Sequence, residues 1–143
     1  KDTNWGELDF LIIDLPPGTG DVQISLSQTI LNITGAVIVT TPQSLSVDDV
    51  RKAIIMYRQL NINIIGQVEK MSYFACPHCN ERSYIFSDGG GVKLAEEYNI
   101  PILAKLPINM DISANITDKS VDYFIPIAEK VISEIKNKKI EQN

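Results

Sequence analysis

Hydrophobic positions along the chain form short, nearly unbroken runs that are rich in β-branched residues. The clearest runs are residues 10–13 and 36–41, and shorter, less pure examples are residues 62–68 and 102–106. Strands of a parallel sheet that helices cover on both faces have this pattern. We therefore predict parallel strands at these four positions.

Helical patterns separate the predicted strands. The best defined has apolar residues at near-helical spacing from Val47 to Leu60, with Ser44 or Ser46 as a cap. Further helices are predicted at residues 23–28 with Asp21 as a cap, at residues 92–98, and at residues 125–139 beginning beside Pro126. This alternation predicts an α/β fold, a parallel sheet with flanking helices.

Size and composition fit one globular domain. The chain has 143 residues, 44% of them hydrophobic and 22% charged, with a net charge of −5. Basic residues cluster only near the C-terminus, which argues against a nucleic-acid partner. No apolar stretch reaches the roughly 20 residues of a membrane span, which argues against a membrane partner. We expect a single domain over residues 1–143, with an irregular cysteine-containing loop at residues 72–91.

The segment Asp14-Leu15-Pro16-Pro17-Gly18-Thr19-Gly20-Asp21 follows the first predicted strand. A carboxylate at the C-terminal edge of a parallel sheet can hold Mg²⁺, and Gly18 can bring its backbone N–H close to a γ-phosphate. The alternative is a strand that leaves the sheet through a Pro-Gly turn, with Asp14 solvated. Thr41-Pro42-Gln43 ends the next strand at the same edge, where it either lines the site or only ends the strand.

A complete phosphate-binding loop is absent from the sequence. Such a loop combines glycines with a lysine and a following Ser or Thr. Gly89-Gly90-Gly91-Val92-Lys93 lacks both the spacing and the hydroxyl. We therefore expect this chain alone to be inactive as an ATPase.

The only two cysteines of the chain lie three positions apart, in Cys76-Pro77-His78-Cys79. A disulfide between such near neighbours would close too small a loop to stabilise much, which favours metal ligation or redox chemistry. Tetrahedral zinc and iron–sulfur sites usually take four ligands, so a filled site needs a second chain. Strongly oxidising thioredoxin-like proteins use the same tetrapeptide at a helix N-terminus, but no amphipathic helix is predicted directly after Cys79.

Taken together, these motifs resemble the Mrp/ApbC-type iron–sulfur cluster carriers, a branch of the MinD/ParA-like P-loop NTPases. The resemblance runs from about residue 9 to residue 124 of the sequence. It rests on the Asp14–Asp21 and Thr41–Gln43 segments, Val68-Glu69-Lys70-Met71-Ser72-Tyr73-Phe74, the cysteine tetrapeptide, Gly89-Gly90-Gly91 with Leu94-Ala95, and Leu106-Pro107-Ile108.

The resemblance implies roles for individual residues. Proteins of this family bind ATP at a deviant Walker A loop, dimerise, hold a [4Fe–4S] cluster between two cysteine pairs and pass it to apo-proteins. By resemblance, Asp14 is the catalytic residue at Mg²⁺ and the attacking water, and Cys76 and Cys79 are the cluster ligands.

Four further residues are placed at the nucleotide by the same resemblance: Gly18, Thr19, Lys70 and Pro107. Lys70 stands where the family usually has an asparagine that reads adenine, and Asn109-Met110 replaces the family's Asp-Pro. Because the Walker A portion is missing, the resemblance implies the C-terminal portion of a longer P-loop NTPase.

These observations lead to one hypothesis and two alternatives. The hypothesis is an ATP-dependent iron–sulfur cluster carrier that works as a cytoplasmic homodimer, with ATP and Mg²⁺ bound by the full-length protein. An organellar location stays open. The alternatives are a non-hydrolysing interaction module bridged by zinc or a cluster, and a thiol–disulfide oxidoreductase.

Overall fold

The computed structural model describes residues 3–30, 32–109, 112 and 118–141. Strands and helices alternate through most of this part of the chain. In chain order they are α1 (Asp21–Thr29), β1 (Ala36–Thr40), α2 (Ser44–Gln59), β2 (Ile64–Ala75), β3 (Arg82–Ser83), α3 (Gly90–Glu97), β4 (Ile102–Ile108) and α4 (Asp118–Glu141).

The sheet is built around β2. Strands β1 and β4 both pair with β2 in parallel, and the short β3 pairs antiparallel with the end of β2. The predicted α/β class and parallel sheet with flanking helices are therefore confirmed, and three of the four predicted strands lie within it. Parallel strands need crossover connections, and α2 and α3 occupy these connections.

Two hydrophobic clusters hold the helices on the sheet. In the first, α2 and α3 pack on β1 and β2 around the fully buried Ile54 and Leu94. In the second, α4 packs on β4 through Tyr123, Ile127 and Val131. The apolar stripes that predicted the helices are thus the faces that they bury.

The predicted strand at residues 10–13 is wrong, because these residues form no strand. Their side chains are exposed, Ile12 to 91%. A strand must pair its backbone N–H and C=O groups with a neighbour, and among the described residues no strand pairs with this segment. An apolar run therefore indicates a strand only where a second strand is available to pair with it.

The predicted loop at residues 72–91 contains more regular structure than expected. Strand β2 continues to Ala75, β3 lies inside the segment, and α3 begins at Gly90. The end of β2 and the short β3 are defined by their pairing with neighbouring strands, which hydrophobic periodicity within the segment does not show. What remains irregular is a tight turn after β2 and the connection that leads to α3.

Helix α4 starts earlier than predicted, with Pro126 inside it and not in its first turn. Proline in a helix interior removes one backbone hydrogen bond, but the packing of Tyr123 and Ile127 on either side of it against β4 supports the helix through that point. Within the part of the chain that the structure describes, no helix is both long and apolar enough to cross a membrane.

The predicted helix caps are also corrected. Asp21 is the first residue of α1, and Gly20 is the cap residue. For α2 the cap residue is Gln43, without a side-chain hydrogen bond, and the Ser46 hydroxyl instead accepts a hydrogen bond of 2.8 Å from the Thr41 hydroxyl. Asp21 still favours its helix, because acidic groups in a first turn interact well with the helix dipole.

Candidate functional site

The carboxyl ends of the three parallel strands meet at one edge of the sheet. Thr40 of β1 is in register with Glu69 of β2, which is in register with Lys105 of β4. Two of the predicted nucleotide residues lie just beyond this row: Lys70 is exposed, and Pro107 is half-buried beside Tyr73. This is the edge at which open α/β folds bind ligands.

A bulge interrupts β2 directly after this row. The β2–β4 register shifts between Glu69 and Tyr73, and Met71 has a φ of 53°. Such a left-handed conformation is uncommon for a residue other than glycine, and bulges often re-aim a strand next to a functional site. The bulge leaves Lys70 and Met71 exposed, and β2 pairs with β4 again at Tyr73 and Phe74, just before the cysteine turn.

The Pro-Pro-Gly turn before α1 is held by a contact within the segment. The side-chain amide of Gln23 donates a hydrogen bond of 2.6 Å to the carbonyl oxygen of Pro16, and Gln23 is itself buried. Gly18 has a φ of 101°, which a residue with a side chain rarely adopts. Asp14 and Gly18 are exposed, and Thr19 is half-buried.

The structure does not bring the predicted phosphate residues together with the sheet edge. No described hydrogen bond joins Asp14, Gly18 or Thr19 to Lys70 or Pro107. Side chains from residues 3–30 are also absent from the two hydrophobic clusters of the described chain. The role of these residues at a nucleotide therefore stays a prediction.

The cysteine tetrapeptide forms the turn of a small hairpin between β2 and β3. The backbone N–H of Cys76 donates to the carbonyl of Glu81 at 2.9 Å, and that of Asn80 donates to the carbonyl of Cys76 at 2.8 Å. Asn80 takes the left-handed conformation that asparagine tolerates, with a φ of 58°. The guanidinium of Arg82 lies 4.4 Å from the centre of the Tyr73 ring, which packs the base of the hairpin.

Both cysteines are free thiols, Cys76 half-buried and Cys79 exposed. The backbone N–H groups of His78 and Cys79 donate to the Cys76 sulfur, with the Cys79 thiol as a further donor, and these contacts lower the pKa of Cys76. A thiolate is the form of cysteine that ligates metals and attacks disulfides. The hairpin backbone thus favours a reactive state of Cys76.

The described residues alone do not assemble a complete metal site. No group of three or more His, Cys, Asp or Glu side chains that could hold a metal occurs among them. His78 lies in the same turn and is exposed. Two thiolates supply half of a tetrahedral coordination shell.

A buried polar cluster around Glu69 lies next to the hairpin, and no sequence motif predicted it. Glu69 is 1% exposed, and its carboxylate accepts hydrogen bonds from the backbone N–H of Gly91 at 2.8 Å and from the Ser72 hydroxyl at 2.6 Å. The Gln67 amide donates to the carbonyl of Gly91 at 2.7 Å. A charged residue at the end of an apolar run was the available signal, because glutamate is almost never fully buried without partners.

Comparisons with known proteins show which family the chain belongs to. The chain matches, over residues 1–142, the family described as "ParA: NUBPL iron-transfer P-loop NTPase". It is 44% identical to an iron–sulfur cluster carrier protein of Methanocaldococcus jannaschii, with 97% of this chain and 51% of that protein covered. It is 53% identical to the cytosolic Fe-S cluster assembly factor CFD1 of Kluyveromyces lactis, with 76% and 39% covered.

A solved structure is also similar. It is a nucleotide-binding protein from Archaeoglobus fulgidus in complex with ADP, in which cobalt was found by PIXE. The TM-score is 0.66 at 48% identity, with 76% of this chain and 44% of that chain covered. The chain spans about half or less of the length of these relatives. From the family match and these identities, the chain belongs to the ParA-type, NUBPL-like family of iron-transfer P-loop NTPases.

Proposed function

We propose that this chain is the cluster-binding part of an ATP-dependent iron–sulfur cluster carrier. In this proposal, Cys76 and Cys79 of two copies hold one [4Fe–4S] cluster, which is the cargo passed to apo-proteins. The observation that carries the proposal is the cysteine hairpin, with two free thiols at a surface turn, in a chain of an iron-transfer family.

The hairpin suits a cluster that is shared between two chains. A [4Fe–4S] cluster is held by four cysteine thiolates, and one hairpin offers two. A two-fold axis beside the hairpin would bring a second, identical pair to the same point, since a symmetric dimer uses the same patch on both subunits. Exposure of Cys79 at the turn supports this arrangement, because a ligand shared between chains has to lie at the surface.

Apolar side chains near the hairpin support contact between two copies. Phe74 is the second-last residue of β2, and Tyr84, Ile85 and Phe86 follow β3; all four are exposed. Exposed groups of large apolar residues mark interaction sites more often than an isolated apolar side chain does. A dimer centred on the hairpin would cover them and keep water from the cluster.

The nucleotide part of the proposal concerns the longer protein. Asp14 would hold Mg²⁺ or the attacking water, while Gly18 and Thr19 would contact the terminal phosphate and Lys70 and Pro107 the base. The exposed Asp14 and the open left-handed turn at Gly18 are compatible with these roles, because neither is occupied by a contact within the described chain. A phosphate-binding loop outside this chain would have to complete the site.

Thiol–disulfide exchange receives less support from the hairpin. Oxidoreductases with this tetrapeptide place it at a helix N-terminus, whose dipole stabilises the thiolate. Here Cys79 is followed by the strand β3 and not by a helix. We further propose that the carrier works in the cytoplasm, since relatives such as CFD1 are named as cytosolic assembly factors.

Anaerobic reconstitution of the full chain with ferrous iron and sulfide tests the proposal. We expect a brown product with four irons and four sulfides per two chains, dimeric by native mass spectrometry. The product should transfer its cluster to an apo-ferredoxin. Tight colourless Zn²⁺ binding without cluster formation would instead support the zinc-bridged module, and a monomer that holds a stable cluster would contradict the shared site.

A further inference from the structure

Glu69 is a buried carboxylate that neither described ion pair involves. It is 1% exposed, and the ion pairs of the described residues join Arg51 to Glu97 and Lys52 to Asp49. Burying a carboxylate is costly unless hydrogen bonds compensate it. Glu69 has two such bonds, from the Gly91 N–H and the Ser72 hydroxyl.

One of these bonds caps a helix from outside. Gly91 is the second residue of α3, and the cap residue Gly89 makes no side-chain hydrogen bond. The first N–H groups of a helix lack partners within the helix and carry partial positive charge. The Glu69 carboxylate satisfies one of them and is itself stabilised there.

The two donors stand at the two ends of one segment. Ser72 lies near the end of β2, four residues before Cys76. Gly91 is a buried residue in the first turn of α3. We name residues 72–91 the cysteine segment. Its first and last residues therefore both donate hydrogen bonds to the carboxylate of Glu69. A single side chain ties the base of the segment that carries Cys76 and Cys79.

Backbone strain lies beside both ends of the cysteine segment. Met71, between Glu69 and Ser72, has a φ of 53°, and Ser87, shortly before α3, has a φ of 138°. Such conformations persist only where surrounding contacts hold them. At Met71, the hydrogen bond between Ser72 and Glu69 spans the strained residue. At Ser87, the hydroxyl donates a hydrogen bond of 3.0 Å to the carbonyl of Pro42.

The fit around Gly91 leaves no room for a side chain. A Cβ atom there would collide with the Glu69 carboxylate, and would lie 2.9 Å from the Thr40 methyl and 3.0 Å from the Gln67 amide nitrogen. Gly91 is thus held through its N–H by Glu69 and through its carbonyl by Gln67. The end of the cysteine segment has little freedom to shift against β2.

We infer that Glu69 is a positioning residue for the cysteine hairpin: by binding both ends of the cysteine segment, its carboxylate sets the direction in which Cys76 and Cys79 face a second chain. Glu69 does not touch the cysteines. The consequence for metal binding rests on the proposed function, whereas the consequence for hairpin orientation does not.

Spin labels measure the orientation directly. In a Cys76→Ser background of the full chain, one label is attached to Cys79 and a second to Leu45→Cys, at an exposed position of α2. Ser72→Ala and Glu69→Ala are introduced, with Ser83→Ala as the matched control, because Ser83 is an exposed serine within the same segment. We expect Ser72→Ala and Glu69→Ala to broaden the distance distribution and Ser83→Ala to leave it narrow.

The conservative variant separates positioning from general stability. In Glu69→Gln the amide oxygen can still accept from Gly91 and the amide NH₂ can donate to the Ser72 oxygen, so the distribution should stay narrow. The midpoint of urea unfolding is measured for every variant. Unchanged distributions in Ser72→Ala and Glu69→Ala would overturn the inference, as would broadening that follows the unfolding midpoint across all variants.

Zn²⁺ binding connects the inference to the proposed function. With both cysteines intact, Ser72→Ala should weaken the affinity for Zn²⁺ roughly tenfold, the size of effect that residues supporting metal ligands have, and Ser83→Ala should not. If the wild-type chain binds neither Zn²⁺ nor a cluster, the proposed function fails while the distance distributions still decide the role of Glu69. If Zn²⁺ affinity is the same in Ser72→Ala and wild type, Glu69 does not position the ligands.

Discussion

The Gln67 side-chain amide donates a hydrogen bond to the carbonyl oxygen of Gly91, 24 residues further along the chain. This bond fastens the start of α3 to the centre of β2, at the sheet edge where the cysteine segment ends. Gln67 is fully buried, and its other amide atom, Oε1, has no hydrogen-bond partner among the residues that the structure describes. A buried polar atom without a hydrogen bond lowers the stability of the fold. The hydrogen bond from the Gln67 Nε2 to Gly91 offsets part of this loss.

Gly91→Ala should destabilise the chain by about 1–3 kcal/mol, because the added Cβ overpacks the contacts with Glu69 and Thr40. Urea unfolding followed by circular dichroism measures the change. Gly20→Ala is the control, since a Cβ there meets only the Gln23 side chain at 3.5 Å; it should cost about 1 kcal/mol or less as a change of cap residue. Equal losses in the two variants would contradict the packing around Gly91.

Ile54→Ala should cost about 2–5 kcal/mol in the free energy of unfolding, because Ile54 is 0% exposed in the cluster between α2 and the sheet. Its neighbour Ile55 is 42% exposed on the same helix and is the matched control. Ile55→Ala should cost well under half as much. A larger loss for Ile55→Ala would show that α2 packs on the sheet through a different face.

Replacing either cysteine by serine should remove the cluster almost completely. In a symmetric dimer, Cys76→Ser or Cys79→Ser removes two of the four proposed ligands at once. Iron and sulfide content after anaerobic reconstitution measures the loss. His78→Ala is the control and should keep the cluster, because the four cysteine thiolates of two chains already supply all of its ligands. A Cys79→Ser variant that retains half of its iron would speak against a shared cluster.

The chain by itself should show no ATP hydrolysis above a buffer control. Asp14 and Gly18 can position Mg²⁺ and a γ-phosphate only against a phosphate-binding loop, which this sequence lacks. Phosphate release at millimolar ATP and Mg²⁺ is the measurement. Turnover that disappears in Asp14→Ala would mean that the phosphates lie elsewhere on this chain.

In a longer protein that contains such a loop, Asp14→Ala should abolish most of the hydrolysis and leave the fold intact. Asp14 is exposed and outside both hydrophobic clusters, so its loss removes little packing. Paired measurements of phosphate release and of the unfolding midpoint separate the two effects. Asp14→Asn keeps the size of the side chain and should be almost as inactive, because the carboxylate charge is what would hold Mg²⁺.

Local patterns were sufficient for much of the fold. The periodicity from Val47 to Leu60 predicted α2, and the apolar run at residues 36–41 predicted β1, because both depend on which residues follow each other along the chain. The cysteine spacing predicted a paired-thiol site in the same way, and the structure places both thiols in one surface turn. Such features are encoded within a few residues of sequence.

Other features depended on residues that are distant in sequence. The run at residues 10–13 is as apolar as β1, yet it forms no strand, because a strand exists only where another pairs with it. Tertiary structure also decided that Thr40, Glu69 and Lys105 share one row, since register is set by pairing between strands. Periodicity within one segment contains neither kind of information.

The sequence by itself determined the α/β class, the order of most strands and helices and the presence of two thiols, Cys76 and Cys79, at metal-ligand spacing. Only the tertiary structure decided what Glu69 does, because its two donors come from Ser72, across a bulge, and from Gly91, at the far end of the cysteine segment. A buried carboxylate has to find its hydrogen-bond donors in three dimensions, and the sequence shows only that a charge lies at the end of an apolar run.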